Sequence, residues 1–585
     1  MLTTSWNLSR PHPRNPNPGG LLLPALACLL ASLHPNLAAQ SAVARGFPNS
    51  LKPALSSIEA HQILAHTTVL ASDEFEGRAP ASRGEELTVA YLQNAFANMG
   101  LKPGHTDGTF IQKVPLTSTK SEIQAQLHLP SGTVELQRPQ DYVGWSPRYE
   151  SQVEVAKSEL VFVGYGVLAP EYQWDDYKDQ DVRGKTLVML VNDPAIPDPK
   201  DPAKLDDRQF KGRAMTYYGR WTYKFEIAQT KGAAAAILIH ETGPAGYPYF
   251  VVINSWSRET FDLRERTQQP IAVASWMSLE RARSMLAACG EDFEALKRKA
   301  VRRDFKPVPL GAQVTFKVRN TFRQVESQNV LARLEGSDPK LKQAHVIYTS
   351  HWDHLGQDPK LSGDTIFNGA ADNAVGTACL LEMAEAFTRL KTPPKRSILF
   401  LAVTAEEQGL LGSKHYASHP VYPLSRTLAN INLDGANTWG RTADLAIIGF
   451  GNSTLDDLVI AGARFQNRDV RPEPTPEKGY FYRSDHFEFA KVGVPALYLD
   501  KEAVVYLDHP GDYGRQKREA YIEKDYHKVS DHVRPDWDLT GAVEDAQLLT
   551  YVGWRVAQGS EYPRWKPGTE FKARREAMLR SSTGR

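Results

Sequence analysis

The sequence predicts an α/β protein: a three-layer αβα sandwich on a mixed, largely parallel sheet, joined by a smaller unit rich in β-strands. Two observations carry this. From Asn329 onward, apolar runs of strand length alternate with helical patterns, as crossover connections onto one sheet require. Between about Val153 and Ala300 the runs are short and closely spaced, as in a separate compact unit. The chain has 585 residues, 41% of them hydrophobic, enough for more than one core. A formal net charge of +1 gives no bulk electrostatic reason to expect nucleic acid or an anionic membrane as partner.

In chain order, Arg10 and Arg14 precede the apolar run "LLLPALACLLASL" and the small-residue stretch "NLAAQSA". Residues 1–40 therefore read as an export signal cleaved near Ala39, with the mature protein periplasmic or secreted. "ALAC", ending at Cys28, loosely resembles a lipoprotein processing site, but the apolar run continues past it. No later segment approaches the roughly 20 apolar residues of a spanning helix, so no stable membrane span is expected. Cys289 and Cys379 both sit in helical apolar patterns, which favours two buried free thiols over a disulfide.

Residues 41–150 form the N-terminal part of the main unit. "SSIEAHQILAHTTVLAS" and "GEELTVAYLQNAFANMG" carry helical spacing, the second ending at a glycine suited to a helix C-terminus, with the loop "DEFEGRAPASRG" between them. Residues 151–304 form the smaller unit: "ELVFVGYG", "KTLVMLVND", "AAAAILIH" and "PIAVASW" predict strands, and "TYKFEIAQTKG" a helix. Residues 305–560 return to the main unit with strands "NVLARL", "HVIYTS", "SILFLAV", "LANINLD", "LAIIG" and "PALYL". Its helices are "NAVGTACLLEMAEAFTRL", "EQGLLGSKHYAS", "TLDDLVIAGAR" and a closing "TGAVEDAQLLTYVGWRVA". "VNDPAIPDPKDPAK" and "RPEPTPEKG" read as loops, and the basic stretch of the tail, 561–585, as a solvated segment.

Ligands of open α/β sheets gather beyond the carboxyl ends of the strands. His351 and Asp353 follow "HVIYTS", Asp372 and Asn373 close the next loop, Glu406 and Glu407 follow "SILFLAVTA", and Asp434 follows "LANINL". His527 and Asp531 come later, in "DYHKVSD". So many carboxylates at one edge repel unless cations lie among them. Histidine nitrogen and carboxylate oxygen suit Zn2+, with Co2+ or Mn2+ acceptable to the same donors, and the ligand count suits two ions about 3.5–4 Å apart. Asp372 is expected to bridge, with His351 and Asp434 on one ion and Glu407 and His527 on the other. Glu406 then faces the bridging water as general base. Asp353 is expected to orient His351 through its free N–H, and Asp531 to do the same for His527. His354, His486, His509 and His532 are surplus to the ligand count.

"SHWDHLG", "GAADNAVGTA", "TAEEQGLLGS", "NLDGAN" and "YHKVSD" carry this set in the chain order of the M28 metallopeptidases, and the chain resembles their bacterial aminopeptidase branch. The resemblance implies a fold of the zinc-dependent exopeptidase type and hydrolysis of the N-terminal bond of peptides with a free N-terminus. It implies a protease-associated (PA) domain at 151–304, acting as a lid or substrate-selecting wall without chemistry of its own. A cis peptide at Asp372–Asn373 is also implied. Ala371 stands where many relatives carry a second acidic residue. Tyr526, Tyr480, Tyr482 and Arg483 are candidate substrate contacts. Two other readings share these motifs: an M20-like carboxypeptidase or deacylase, disfavoured because the extra unit precedes His351, and a receptor-like binding ectodomain, disfavoured because every ligand position is retained.

Overall fold

The computed structural model describes residues 46–582, apart from 267, 501–504 and 510. The expected signal and Cys28 lie outside the described residues. Among them no helix is long and apolar enough to cross a membrane.

In the main unit, Thr427–Leu433, His345–His351 and Ser397–Val403 lie side by side and parallel, with Ala496–Asp500 parallel beyond Thr427–Leu433. Asp444–Ile447 and Asp469–Pro472 extend that edge, the former antiparallel to its neighbour. The three inner strands are buried throughout, because helices cover both faces. On one face Val375–Thr388 and Thr540–Gln558 pack with the N-terminal helices Ala60–Leu70 and Arg83–Asn98. On the other, Tyr416 of Leu411–Ser418 and Phe489 of His486–Lys491 cover Ile347, Leu399 and Leu401. This is the α/β architecture expected, with all the quoted strands and helices present.

The units join through strands. Val308–Leu334 is one strand of 27 residues. Its end pairs antiparallel with Ser397–Val403, and its beginning pairs antiparallel with Gln152–Phe162 of the second unit. Ile111–Leu129 runs antiparallel along it, from Ile111 opposite Val330 to His128 opposite Gln313. The second unit continues the same sheet through the parallel strands Thr186–Leu190, Ala235–His240 and Val273–Ser278. Its core takes in Ile123, Leu127, Tyr142 and Val143 as well as Leu310, Phe316 and Val318. The two cores therefore divide the chain inside these long strands and not at 150/151 and 304/305. The period-2 alternation of Ile111–Leu129 is diluted by Thr, Ser and Gln, which masks it in the sequence.

Two further expectations change. The tail is packed: Trp565 and Phe571 are buried against Phe481 and Phe487, and Arg575 Nη2 donates to the Thr427 carbonyl at 2.8 Å. Its aromatic residues, not its charge, decide its place. "RPEPTPEKG" begins within the edge strand Asp469–Pro472, a position where proline costs no ladder bond. Both cysteines among the described residues are free, Cys379 buried and Cys289 half-buried.

Candidate metal centre

The strand ends deliver the predicted residues to one place. His351 ends its strand, and its carbonyl accepts from Thr377 Oγ1 at 2.8 Å. Asp434 follows Thr427–Leu433, where Asn373 Nδ2 donates to the Leu433 carbonyl at 3.1 Å. Asp372 precedes Val375–Thr388, and the Asp372–Asn373 peptide is cis. After Ser397–Val403, Ala405 takes a left-handed φ of 53°, turning the chain so that Glu406 and Glu407 overhang the strand ends. His527 also sits at a left-handed φ of 56°.

The donor atoms fall into two groups sharing Asp372. His351 Nε2 lies 3.5 Å from Asp372 Oδ1 and 3.4 Å from Asp434 Oδ1. His527 Nε2 lies 3.3 Å from Asp372 Oδ2 and 3.1 Å from Glu407 Oε2. A tetrahedron with arms of about 2.0–2.1 Å has edges of about 3.3 Å, so these separations are those of ligands around a divalent cation. His351 Nε2 is buried without a hydrogen-bond partner, as a nitrogen reserved for a cation must be. The residues present therefore fit a metal. His354 is a rival donor, since its ring nitrogen and oxygens of Asp372 and Glu407 lie within 4.8 Å of one another. Its Nδ1, however, is 2.7 Å from Glu407 Oε1, a hydrogen bond that leaves Oε2 to face His527.

Electrostatics follow from burial among carboxylates. Burial pulls the His527 imidazole down, but Glu407 and Asp372 outweigh it and hold the group up at about 10. Burial pushes Glu407 up, and His527 and His354 outweigh it, holding the carboxyl at about 2. Glu406 goes the other way: burial raises it well above the usual carboxylate range, against His351, and the Asp434 and Glu407 charges add to the rise. Adjacent glutamates thus divide into a ready anion and a strong proton acceptor.

The supporting residues differ from expectation. The partner of His351 Nδ1 is the main-chain carbonyl of Asp353, at 3.1 Å; its carboxylate is 3.8 Å away. That carboxylate instead accepts the main-chain N–H of Glu406 at 3.0 Å and of Glu407 at 3.4 Å, fixing the turn that carries both. Asp531 accepts from the main-chain N–H groups of Ala371, at 3.0 Å, and Asp372, at 3.1 Å, and so anchors the bridge and not His527. His527 is held from the second unit, where Ser255 Oγ lies 3.2 Å from its Nδ1 and Asn254 Nδ2 donates to its carbonyl at 2.9 Å. Both come from helix Tyr249–Trp256. Arg78, fully buried, donates to the carbonyls of Trp352 at 2.8 Å, Asn368 at 2.6 Å and Gly369 at 2.9 Å, tying the loops of His351 and Asp372 together. None of Arg78, Asn254 and Ser255 was signalled by the sequence, because a single Arg, Asn or Ser in a loop or helix carries no spacing pattern.

Two cavities meet here, of about 240 Å³ and about 90 Å³, and Tyr247, Glu406, Glu407, Arg483 and Tyr526 line both. Tyr526 stacks on His527 at 4.0 Å between ring centres. Tyr480 lines the smaller cavity beside Asp434, and Tyr482 the larger, its hydroxyl 3.1 Å from Glu570. Of the surplus histidines, His486 is buried, and burial lowers it to about 3; His532 pairs with Asp364 at 3.1 Å and His509 stacks on Tyr513.

Comparison with known proteins agrees with this geometry. "Peptidase family M28" matches residues 329–551. Aminopeptidase YwaD of Bacillus subtilis (strain 168) is 33% identical over 147 residues, 25% of this chain and 28% of its own length. Aminopeptidase NAALADL1 of Mus musculus is 36% identical over 132 residues, 22% of this chain and 16% of its own. The matched stretch thus spans less than a third of either relative. A solved aminopeptidase from Aneurinibacillus sp. strain AM-1 superposes with a TM-score of 0.49 at 18% identity, covering 87% of this chain and 97% of that one. The stretch that matches peptidase family M28, residues 329–551, contains all five convergent ligands, the shared Asp372 among them.

Proposed function

We propose that the protein is an exported metallo-aminopeptidase that holds two divalent ions, zinc by preference, and hydrolyses the first peptide bond of peptides with a free N-terminus. One observation carries the ion count: Asp372 turns Oδ1 to His351 and Oδ2 to His527, each within 3.5 Å. The names of the curated relatives support the reaction class. Bound in the two groups, the ions would supply an acidified water and would polarise the scissile carbonyl. Glu406 takes a proton from the attacking water and passes it to the leaving amine, a role its place beside Glu407 at the strand ends suits. Asp353 keeps Glu406 and Glu407 in register with this site through their main-chain N–H groups. Tyr526, on the wall shared by both cavities, closes the site beside His527. The second unit reads as a PA domain, and residues 1–40 as the export signal.

The test is to strip the protein of metal, add Zn2+ back, and follow aminoacyl-nitroanilide hydrolysis with free and N-acetylated substrates. Activity should rise to a plateau at two equivalents and vanish on acetylation. Binding of less than one equivalent, or equal turnover of acetylated substrate, overturns the reading.

A further inference from the structure

The larger cavity carries a charge that the metal centre does not use. Arg220, at the start of helix Trp221–Thr230, lines it together with Glu406 and Glu407 and is only 8% exposed. Its Nε is buried and unpartnered, and among the described residues its guanidinium meets no carboxylate; Trp221 lies beneath it at 5.7 Å. A buried guanidinium nearly always has an anionic partner, because leaving it unpaired costs several kcal/mol.

The charged group nearest in effect is another cation. Burial first, and Arg483 after it, lower Arg220 to about 10. Arg483 lines both cavities, lies over the rings of Tyr247 and Tyr480, and spends Nη2 on the Ala245 carbonyl at 2.6 Å, while its Nε is also buried and unpartnered. Of the carboxylates that share the cavity, Glu406 is the proton acceptor of the metal centre and the other three are engaged elsewhere. Both oxygens of Glu226 accept from Tyr217 Oη at 2.8 Å, Glu488 pairs with Lys491 at 3.1 Å, and Glu407 faces His354 and His527. Two guanidiniums therefore line one cavity, and among the described residues neither forms an ion pair with a carboxylate.

We infer that Arg220 and Arg483 form a carboxylate-binding subsite of the substrate cavity, so that the preferred substrate places a carboxylate within reach of the bond being cut. A guanidinium fork matches a carboxylate in two-pronged fashion, which neither a neutral side chain nor an amide can reproduce. The carboxylate has two sources on a peptide cut at its first bond: the side chain of an N-terminal Asp or Glu, or the α-carboxylate of a dipeptide. Arg220 lies in the second unit, so selection of the substrate passes to the part of the chain that carries no metal ligand of its own.

The inference rests on the aminopeptidase reading, and its test separates the two. The zinc-loaded protein is assayed on the nitroanilides of Glu, Gln and Leu, and on Ala-Ala against Ala-Ala-amide. A Glu-over-Gln ratio of about tenfold or more assigns the subsite to the N-terminal side chain; a similar acid-over-amide ratio assigns it to the α-carboxylate. In Arg220→Met the operative ratio should collapse towards one. Arg220→Lys, which keeps the charge and most of the volume, should fold with unchanged zinc content and retain only part of the ratio. Hydrolysis of Leu-nitroanilide with neither ratio above about twofold in the native protein overturns the subsite and leaves the aminopeptidase standing. Failure to hydrolyse any free-amine substrate overturns the aminopeptidase reading. The subsite is then judged by calorimetry, where L-glutamate must bind more tightly than L-glutamine and lose that margin in Arg220→Met.

Discussion

His351 and His527 meet the same Asp372, yet they are held by different parts of the molecule. His351 ends a buried strand, and its second nitrogen is satisfied two residues on, by the Asp353 carbonyl. His527 lies off the sheet at a left-handed φ, and its second nitrogen faces Ser255, 272 residues away in the second unit. One half of the nest is thus built by the catalytic sheet itself, whereas the other is complete only when the second unit is docked. A unit expected to act solely as a wall contributes to the metal centre through a single helix.

The largest expected effect falls on neither half. Glu406→Gln removes the proton acceptor but no ligand, so kcat should drop about 10²- to 10⁴-fold while two equivalents of zinc remain, measured by steady-state kinetics and elemental analysis of the same sample. Loss of one equivalent would mean that Glu406 and Glu407 have exchanged roles, and the off-sheet half is then wrongly drawn.

Asp531 tests the point where the halves meet. Its carboxylate grips the main chain of Ala371 and Asp372, so Asp531→Ala should loosen both oxygens of the bridge together. Both ions should weaken by about 10- to 100-fold in competition with a chromophoric chelator. Weakening confined to one ion would show that each half fixes its own oxygen of Asp372 without this anchor.

The halves also differ in how far they were legible. His351, Asp372, Glu407 and Asp434 each follow a recognisable strand or open a recognisable helix, so topology converts their sequence positions into one place. His527 is the exception, since it is separated from the strand "PALYL" by a long segment that includes helix Tyr513–Lys524. The residues that hold the nest are less visible still. Arg78 acts on carbonyls about 290 positions away, and Ser255 on a ring 272 away, through ordinary hydrogen bonds that impose no local pattern. For Asp353 the sequence points to the right residue and the wrong atom, because the spacing of two residues that suits a side-chain contact also brings its carbonyl within reach of His351.

Acid compares the two units as folded bodies. Each contains a histidine kept neutral by burial: His345 in the main sheet, lowered to about 3, and His240 in the second unit, lowered to about 4. Because the folded value lies below the unfolded value of about 6.5, the unfolded chain binds more protons, and stability falls as pH drops below that value. The expected slope is about 1.4 kcal/mol per pH unit per histidine, levelling off near pH 4 for His240 and pH 3 for His345. Denaturant unfolding of His240→Gln and His345→Gln between pH 7 and 4 should each show a slope shallower by one proton. An unchanged slope would assign acid sensitivity to other groups.

The smallest effect is the sharpest on the comparison, because it should fall on one half alone. Ser255→Ala removes the hydroxyl facing His527 Nδ1 but leaves Asn254 on the His527 carbonyl, so the chain stays in place while the ring loses its orientation. Calorimetric zinc titration should show one ion weakened by about tenfold, the other unchanged, and recovery in Ser255→Thr, whose hydroxyl can reach the same nitrogen. Equal weakening of both ions would mean that the second unit supports the nest as a whole. No weakening would mean that the left-handed backbone and Asn254 alone orient His527, and the off-sheet half would then need only the docking of helix Tyr249–Trp256, with no side-chain hydroxyl upon it.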